Sequence, residues 1–281
     1  MSINIKVAEI ICKIESGQEK IIDLIKKNCD DFLSNENEDF LITLNLREKI
    51  KIDRVVNKNG KVVEILGERE KIFNNGKNYF INSDFFNGNF DINKKKAIFD
   101  IKDCDEFLWL MIRNLLRVCY AIFAFNDNGF LMHCSCVVKD DKGYLFCGKP
   151  GAGKSTVAKL SNSKVLSDES LIIKDHKGTV MVYGTPFGGE LKPLNEKARL
   201  DKLFFLVQSK ETYFEELKDA EKIAEFMQNE FLSFTIVFND NKNLTKKIFK
   251  SSYRLLKKLK CYKMHFAIDN DLINKVIQLD N

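Results

Sequence analysis

The segment Gly148-Lys149-Pro150-Gly151-Ala152-Gly153-Lys154-Ser155-Thr156 holds the residue types, at the spacing, that bind the phosphates of a nucleotide. Glycine at Gly148 and Gly153 lets successive backbone N–H groups converge on phosphate oxygens, and Gly151 and Ala152 keep the middle of the turn small. Lys154 has the reach for the β- and γ-phosphates, Ser155 offers a hydroxyl to Mg²⁺, and Thr156 adds a second hydroxyl near the α-phosphate. Binding of a nucleoside triphosphate with Mg²⁺ is therefore expected, with Gly148, Pro150, Gly151, Ala152, Gly153, Lys154, Ser155 and Thr156 as the contacts.

Phosphoryl transfer also needs a carboxylate near the metal and a base or orienting group for the acceptor hydroxyl. Asp168 closes the short apolar run from Val165, Glu169 follows it, and Asp168 stands only fourteen positions beyond Lys154. Asp240, at the end of Phe234-Thr235-Ile236-Val237-Phe238-Asn239, is the competing metal-side aspartate. His133, in Leu131-Met132-His133-Cys134-Ser135-Cys136, reads either as a proton relay or as a hydrogen-bonded core histidine. His176 and His265 read as structural or surface residues. The turn-forming stretch Gly184 to Glu190 is either a substrate-facing loop or a tight connection, with Thr185, Glu190 and Lys192 as candidate contacts. A cation that neutralises the transferring phosphoryl is required, and the sequence does not choose between Arg199 and Lys192.

A strand must enter the glycine-rich segment and a helix must leave it; Tyr144 to Cys147 and Lys154 to Leu160 supply the two. Phe130 to Lys139, joined to Tyr144 by Asp140 to Gly143, makes a hairpin feeding the loop. Lys164 to Asp168, Leu171 to Ile173, Thr179 to Tyr183 and Leu203 to Val207 read as further strands. Helices are expected over Glu221 to Asn229, Leu244 to Leu259 and Asp271 to Val276, with a strand from Tyr262 to Ala267. Residues 1–102 read as a β-rich region: a helix over Ile21 to Lys27, a half-buried strand over Phe40 to Leu46, and a meander whose hairpins turn at Asn59-Gly60, Asn75-Gly76 and Asn87-Gly88. A helix capped by Asp103 or Asp105, with Leu108, Met111, Ile112, Leu115, Cys119 and Ile122 on its core stripe, opens a second domain of residues 103–281. Trp109 reads as a packing anchor.

Length and composition narrow the classes. The 281 residues are 44% hydrophobic, enough for a sizeable core, and 45 Lys and Arg against 40 Asp and Glu leave a net charge of +5 spread along the chain. That spread argues against nucleic acid; the basic run from Lys246 to Lys260 reads as a solvated helix face, with docking of an acidic or phosphorylated partner as the alternative. Leu108 to Phe125 is interrupted by Arg113, Asn114 and Arg117, which argues against a membrane span. None of the eight cysteines forms a Cys-x-x-Cys pair, so zinc is not expected, and reduced thiols in a cytoplasmic protein are. Cys134 and Cys136 share a strand face and read as core packing rather than a soft-metal pair.

His133 with its flanking strand, the loop Gly148 to Thr156, Val165-Leu166-Ser167-Asp168-Glu169, and Tyr183-Gly184-Thr185-Pro186-Phe187, in that order, resemble the catalytic core of the HPr kinase/phosphorylase-like proteins, relatives of phosphoenolpyruvate carboxykinase. The resemblance covers about residues 129 to 207. It implies an α/β (α+β) fold with a mixed, partly antiparallel sheet around the phosphate loop, and an ATP- and Mg²⁺-dependent serine kinase. Lys154 and Ser155 would hold phosphates and metal, Asp168 would be metal-linked and the base for the serine hydroxyl, and His133 would match a histidine the family keeps. Glu169 stands where the family has a second aspartate, and Lys149-Pro150 differ from the bacterial regulator, so neither a phosphorylase reaction nor HPr as substrate is expected. A peptide or small protein is the expected acceptor, in keeping with lasso-peptide kinases of this type; a homo-oligomer is left open. A nucleotide sensor without catalysis, and a small-molecule kinase or ATPase using Asp240, are the alternatives.

Overall fold

The computed structural model describes residues 1–50, 70–74, 78–228, 242–268 and 272–279. The expected turns at Asn59-Gly60 and Asn75-Gly76, the strand from Lys61 to Leu66, and the run from Phe234 to Asp240 with its aspartate lie outside them. The protein is mixed α/β and divides into two compact units, the first built on Met1–Phe123 and the second on Ala124–Leu232 with Thr245–Asn281. The division falls at Phe123, not before Asp103, because the long helix packs with the first unit: Tyr120 Oη donates to Ile5 O at 2.8 Å and the Phe123 ring stacks on Phe40 at 4.5 Å.

The first unit carries β1 (Ser2–Val7), β2 (Ile10–Ser16), α1 (Glu19–Asn28), β3 (Phe40–Arg47), β4 (Glu70–Asn74), β5 (Asn78–Ser83), β6 (Phe86–Asp91), β7 (Lys96–Lys102) and α2 (Leu108–Asn126). Its seven strands run β1-β2-β3-β7-β6-β5-β4. Strands β4 to β7 form the expected meander, but β2–β3 and β3–β7 pair in parallel. Parallel neighbours need a crossover, and α1, burying Ile21 and Ile25, supplies it between β2 and β3. Asn87-Gly88 lies inside β6 and makes no turn: a Cβ on Gly88 would stand 2.1 Å from Ile98 O, so the glycine serves close strand contact. The turn comes earlier, where Ser83 Oγ accepts from the N–H groups of Phe85 and Phe86 at 3.2 and 3.0 Å. Neither Asp103 nor Asp105 caps α2; Lys20 Nζ draws both away, at 2.7 Å from Asp103 Oδ1 and 3.1 Å from Asp105 Oδ1. The stripe predicted for α2 is buried. With its preceding turn the helix has a membrane span's length and a mean hydropathy of 1.5, but 61% of that window is buried inside the structure.

The second unit holds β8 (Gly129–Lys139), β9 (Lys142–Cys147), α3 (Lys154–Leu160), β10 (Lys164–Ser167), β11 (Ser170–His176), β12 (Thr179–Gly184), β13 (Lys197–Gln208), β14 (Tyr213–Glu216), α4 (Asp219–Gln228), α5 (Lys242–Leu256), β15 (Lys260–Phe266) and α6 (Leu272–Gln278). Its mixed sheet runs β10-β8-β11-β12-β13-β15-β14, and β9 is inserted between β8 and β13, antiparallel to the first and parallel to the second. Phe146, Phe204 and Tyr262, in register across β9, β13 and β15, stack at 5.3 and 5.5 Å. Val157 of α3 and Leu272, Ile273 and Val276 of α6 pack into the same core cluster. This row fixes β9, and so fixes where the glycine-rich segment leaves the sheet.

Candidate functional site

The site is built on a change of partners along β8. Its first half, Gly129 to His133, pairs with β11, while Cys136 to Val138 pair with β10. On the opposite side Cys134 to Lys139 pair with β9. The chain therefore leaves β9 at Cys147 on one side of β8, and on the other side it runs on along β8 from β10 into β11, passing Asp168-Glu169 at nearly the same level. Cys134 N donates to Glu169 O at 3.0 Å, which ties the junction of β10 and β11 to the strand.

Residues Gly148 to Gly153 form the glycine-rich loop and α3 follows directly, capped by Gly153 at φ 107°. A Cβ on Gly153 would lie 2.4 Å from Phe266 Cζ, so both backbone angle and space demand glycine. Lys154 is buried, its Nζ 2.5 Å from Gly148 O and 3.4 Å from Lys149 O. Ser135 Oγ of β8 donates to Lys154 O at 2.9 Å, and Gln208 Nε2 donates to Gly151 O at 2.8 Å. The loop is thus held from strands on both sides.

Asp168 is also buried, and backbone donors hold its carboxylate. Oδ1 accepts from Gly189 N at 3.2 Å and Leu191 N at 3.4 Å, and Oδ2 from Glu190 N at 3.1 Å. Residues 188–191 form a strap across the carboxylate, and Gly189 sits on Glu169 as well: a Cβ there would be 3.1 Å from Asp168 Oδ1 and 3.1 Å from Glu169 Oε2. The two carboxylates therefore share one corner. Glu190 pairs with Lys159 on α3, which ties the strap to the helix.

A cavity of about 340 Å³ gathers these groups. His133, Lys154, Ser155, Thr156, Asp168 and Glu169 line it, with Pro150, Gly151 and Gly153 from the loop and Gly189 and Glu190 from the strap. Of the predicted loop contacts, Gly148 and Ala152 do not line it: Gly148 is buried beneath, where its carbonyl holds Lys154, and Ala152 packs against the core. Gly189 falls inside the turn-forming stretch Gly184 to Glu190, and Glu190, a candidate contact of that stretch, lines the cavity; what the sequence does not carry is the approach of Gly189 to two carboxylates distant in the chain.

Other candidates fall away from the cavity. Arg199 pairs with Lys142, five strand positions or ~16 Å from the level of Cys147 where the loop begins. Lys192 is exposed and does not line the cavity. Thr185 is wholly buried and donates from Oγ1 to Ser170 O at 2.8 Å, which makes it a brace for the start of β11. His265 stacks on Tyr213 at 4.2 Å, and His176 ends β11. Cys134 and Cys136 are fully buried, and burial pushes both thiols up, so they remain protonated packing groups. Among the described residues, no three or more His, Cys, Asp or Glu side chains form a metal-binding group.

The family model described as "SynChlorMet cassette protein ScmC" matches residues 97–279, and the chain belongs to this family. No curated protein matches the chain.

Proposed function

We propose that this member of the ScmC family binds ATP with Mg²⁺ and transfers the γ-phosphoryl group to a hydroxyl, a serine of a peptide or small protein being the expected acceptor. The observation that carries the reading is that the lysine and hydroxyls of the glycine-rich loop, the Asp168 and Glu169 carboxylates and the His133 imidazole all line one cavity.

The donor set suits the groups it would take. A serine hydroxyl and two carboxylates are hard oxygen ligands, and Mg²⁺ binds few of these while keeping several waters. Ser155, Asp168 and Glu169 would hold the ion, whose charge offsets that of the phosphate oxygens when it is bound. Lys154, satisfied by Gly148 O and Lys149 O, would exchange those carbonyls for phosphate oxygens. An ionised carboxylate offers about four lone-pair sites, and three backbone N–H groups occupy those of Asp168, so its one open site would serve either the ion or the proton of an acceptor hydroxyl, not both at once. His133, which lines the same cavity, would take up or return that proton. The resemblance to HPr kinase/phosphorylase-like proteins supports the same roles.

A second reading rests on those same three donors, because a carboxylate so held also serves as the anchor of a strap in a nucleotide-responsive binding protein. Transfer of label from γ-labelled ATP to peptides and proteins of the source cell, run beside Lys154→Ala and Asp168→Asn, separates the two. Phosphotransferase activity predicts a labelled serine product that both variants abolish, with nucleotide affinity kept in Asp168→Asn. Nucleotide binding without label on any acceptor would overturn it.

A further inference from the structure

Helix α5 has a face that no described residue covers. Ile248, Ser252, Leu255 and Leu256 are buried. A second set is pinned along one flank: Lys247 Nζ donates to Asn126 Oδ1 at 3.1 Å and lies 4.8 Å from the centre of the Phe125 ring, Arg254 donates to Asn128 Oδ1, and Lys258, just past the helix, donates to Asp175 Oδ2 at 2.5 Å. The third set, Lys246, Phe249, Lys250, Tyr253 and Lys257, falls within an arc of about 100° on the helical wheel and points outward. Phe249 and Tyr253 are 51% and 40% exposed. Their lysine neighbours have no ionic partner among the described residues.

The charge here is local. Over the whole chain 45 basic side chains face 40 acidic ones, yet from Asn241 to Ile268 there is no Asp or Glu, while Lys242, Lys246, Lys247, Lys250, Arg254, Lys257, Lys258, Lys260 and Lys263 all fall within it. An isolated solvated helix face ordinarily mixes signs so that residues four apart support each other, and this one does not. Two large rings kept in water between lysines with no ionic partner among the described residues are a binding composition: the rings supply contact area and the lysines complementarity.

We propose that the outward stripe Lys246–Phe249–Lys250–Tyr253–Lys257 docks an acidic polypeptide segment bearing apolar side chains between its carboxylates. The shape of the stripe favours a polypeptide over a lipid surface. It is narrow, an arc of about 100° bounded on one flank by cations engaged within the unit, and from Lys246 to Lys257 it is ~16 Å long. A rod-like helix or strand fits such a strip, whereas a bilayer surface rewards a broad apolar face. The inference does not rest on phosphotransfer.

The probe is a fluorescein-labelled helical peptide of about four turns with Glu and Leu on one face, titrated with the full chain and followed by anisotropy. Lys246→Glu/Lys250→Glu/Lys257→Glu should weaken binding more than ~10-fold, and Phe249→Ala/Tyr253→Ala more than ~5-fold at unchanged net charge. Lys94→Glu/Lys95→Glu/Lys96→Glu, which changes the net charge equally elsewhere, should leave it within ~2-fold. Equal loss in both lysine triples, or no loss on removing the rings, would reduce the attraction to overall charge and overturn the proposal. Binding to phosphatidylserine-containing vesicles through the same residues, with none to the peptide, would overturn it in favour of a membrane. Circular dichroism of each variant verifies that α5 is kept, since all five side chains lie outside the core.

Discussion

Gly153 offers the sharpest test of how the loop is held. An alanine there must adopt φ near 107°, which costs ~1–2 kcal/mol for an L-residue in the left-handed region. It must also place a methyl 2.4 Å from Phe266 Cζ and 3.2 and 3.4 Å from Cε1 and Cε2, against an ordinary carbon contact of about 3.5–4.0 Å. Phe266 belongs to the buried core cluster, so relieving the overlap means shifting packed neighbours, an overpacking cost of ~1–3 kcal/mol. Gly153→Ala should therefore lose about 2–5 kcal/mol, within the ~5–15 kcal/mol of an ordinary domain. The two contributions separate in a double-mutant cycle, because leucine lacks the three ring atoms the methyl would meet. With Phe266→Leu in place, Gly153→Ala should cost only the backbone strain, leaving a coupling of ~1–3 kcal/mol. Urea unfolding followed by circular dichroism gives each value, provided the slopes agree among the four proteins. A coupling below ~0.5 kcal/mol would refute the account of the loop as wedged against Phe266.

Asp168→Asn replaces an ionised acceptor of three backbone N–H groups, so beyond its expected loss of phosphotransfer it should lower stability by about 1.5–3 kcal/mol, read as a lower Tm. Gly189→Ala pushes a methyl against both carboxylates, which must give by a few tenths of an ångström; labelled transfer should fall ~10-fold while nucleotide affinity stays within ~3-fold, and equal losses in both would count against a role in orienting the carboxylates. Burial pushes the Cys29 and Cys261 thiols up to about 12. Since the unfolded thiols ionise near 9.0 and the folded ones do not, stability should be full below pH 9 and fall through the window up to about 12. Each thiol contributes about 1.4 kcal/mol to the fall between pH 8 and 10, so Cys29→Ala/Cys261→Ala should lessen it by about 2.8 kcal/mol while Cys12, Cys119, Cys134 and Cys136, also raised by burial, keep the remainder; an unchanged slope would mean that these two thiols do not report the burial seen here.

What the sequence showed and what it hid follow from the range of the forces involved. Periodic burial is local, so α1, α2, the hairpin into the loop, and the strands from Lys164 to Tyr183 were legible. Turn chemistry was less so. Ala8-Glu9 and Asp140-Asp141 make two-residue turns with positive φ at both positions, without the Asn-Gly signature, while Asn87-Gly88 is extended in β6. Register can force such turns wherever two long strands gain more from pairing than the turn residues lose. The parallel pairings of β3 and the strap over Asp168 are contacts between distant segments, which no window of sequence carries.

The short interval between Lys154 and Asp168 now has a geometric cause. Strands β9 and β10 both run antiparallel to β8, so they are parallel to each other with β8 between them, and α3 is the crossover that links them. A crossover that passes over a single strand needs only one short helix, and α3 has seven residues. The bulge at Leu166 then turns its carbonyl toward Leu194 N at 3.0 Å, and the chain runs on along β8 into β11, which brings Asp168 beside the loop it has just left. Removing the bulge would slip this strand by one residue against β8 and turn the Asp168 side chain to the other face, away from Lys154. The spacing of the two residues in the sequence and their meeting across β8 are thus one property of the chain, set by the inserted strand.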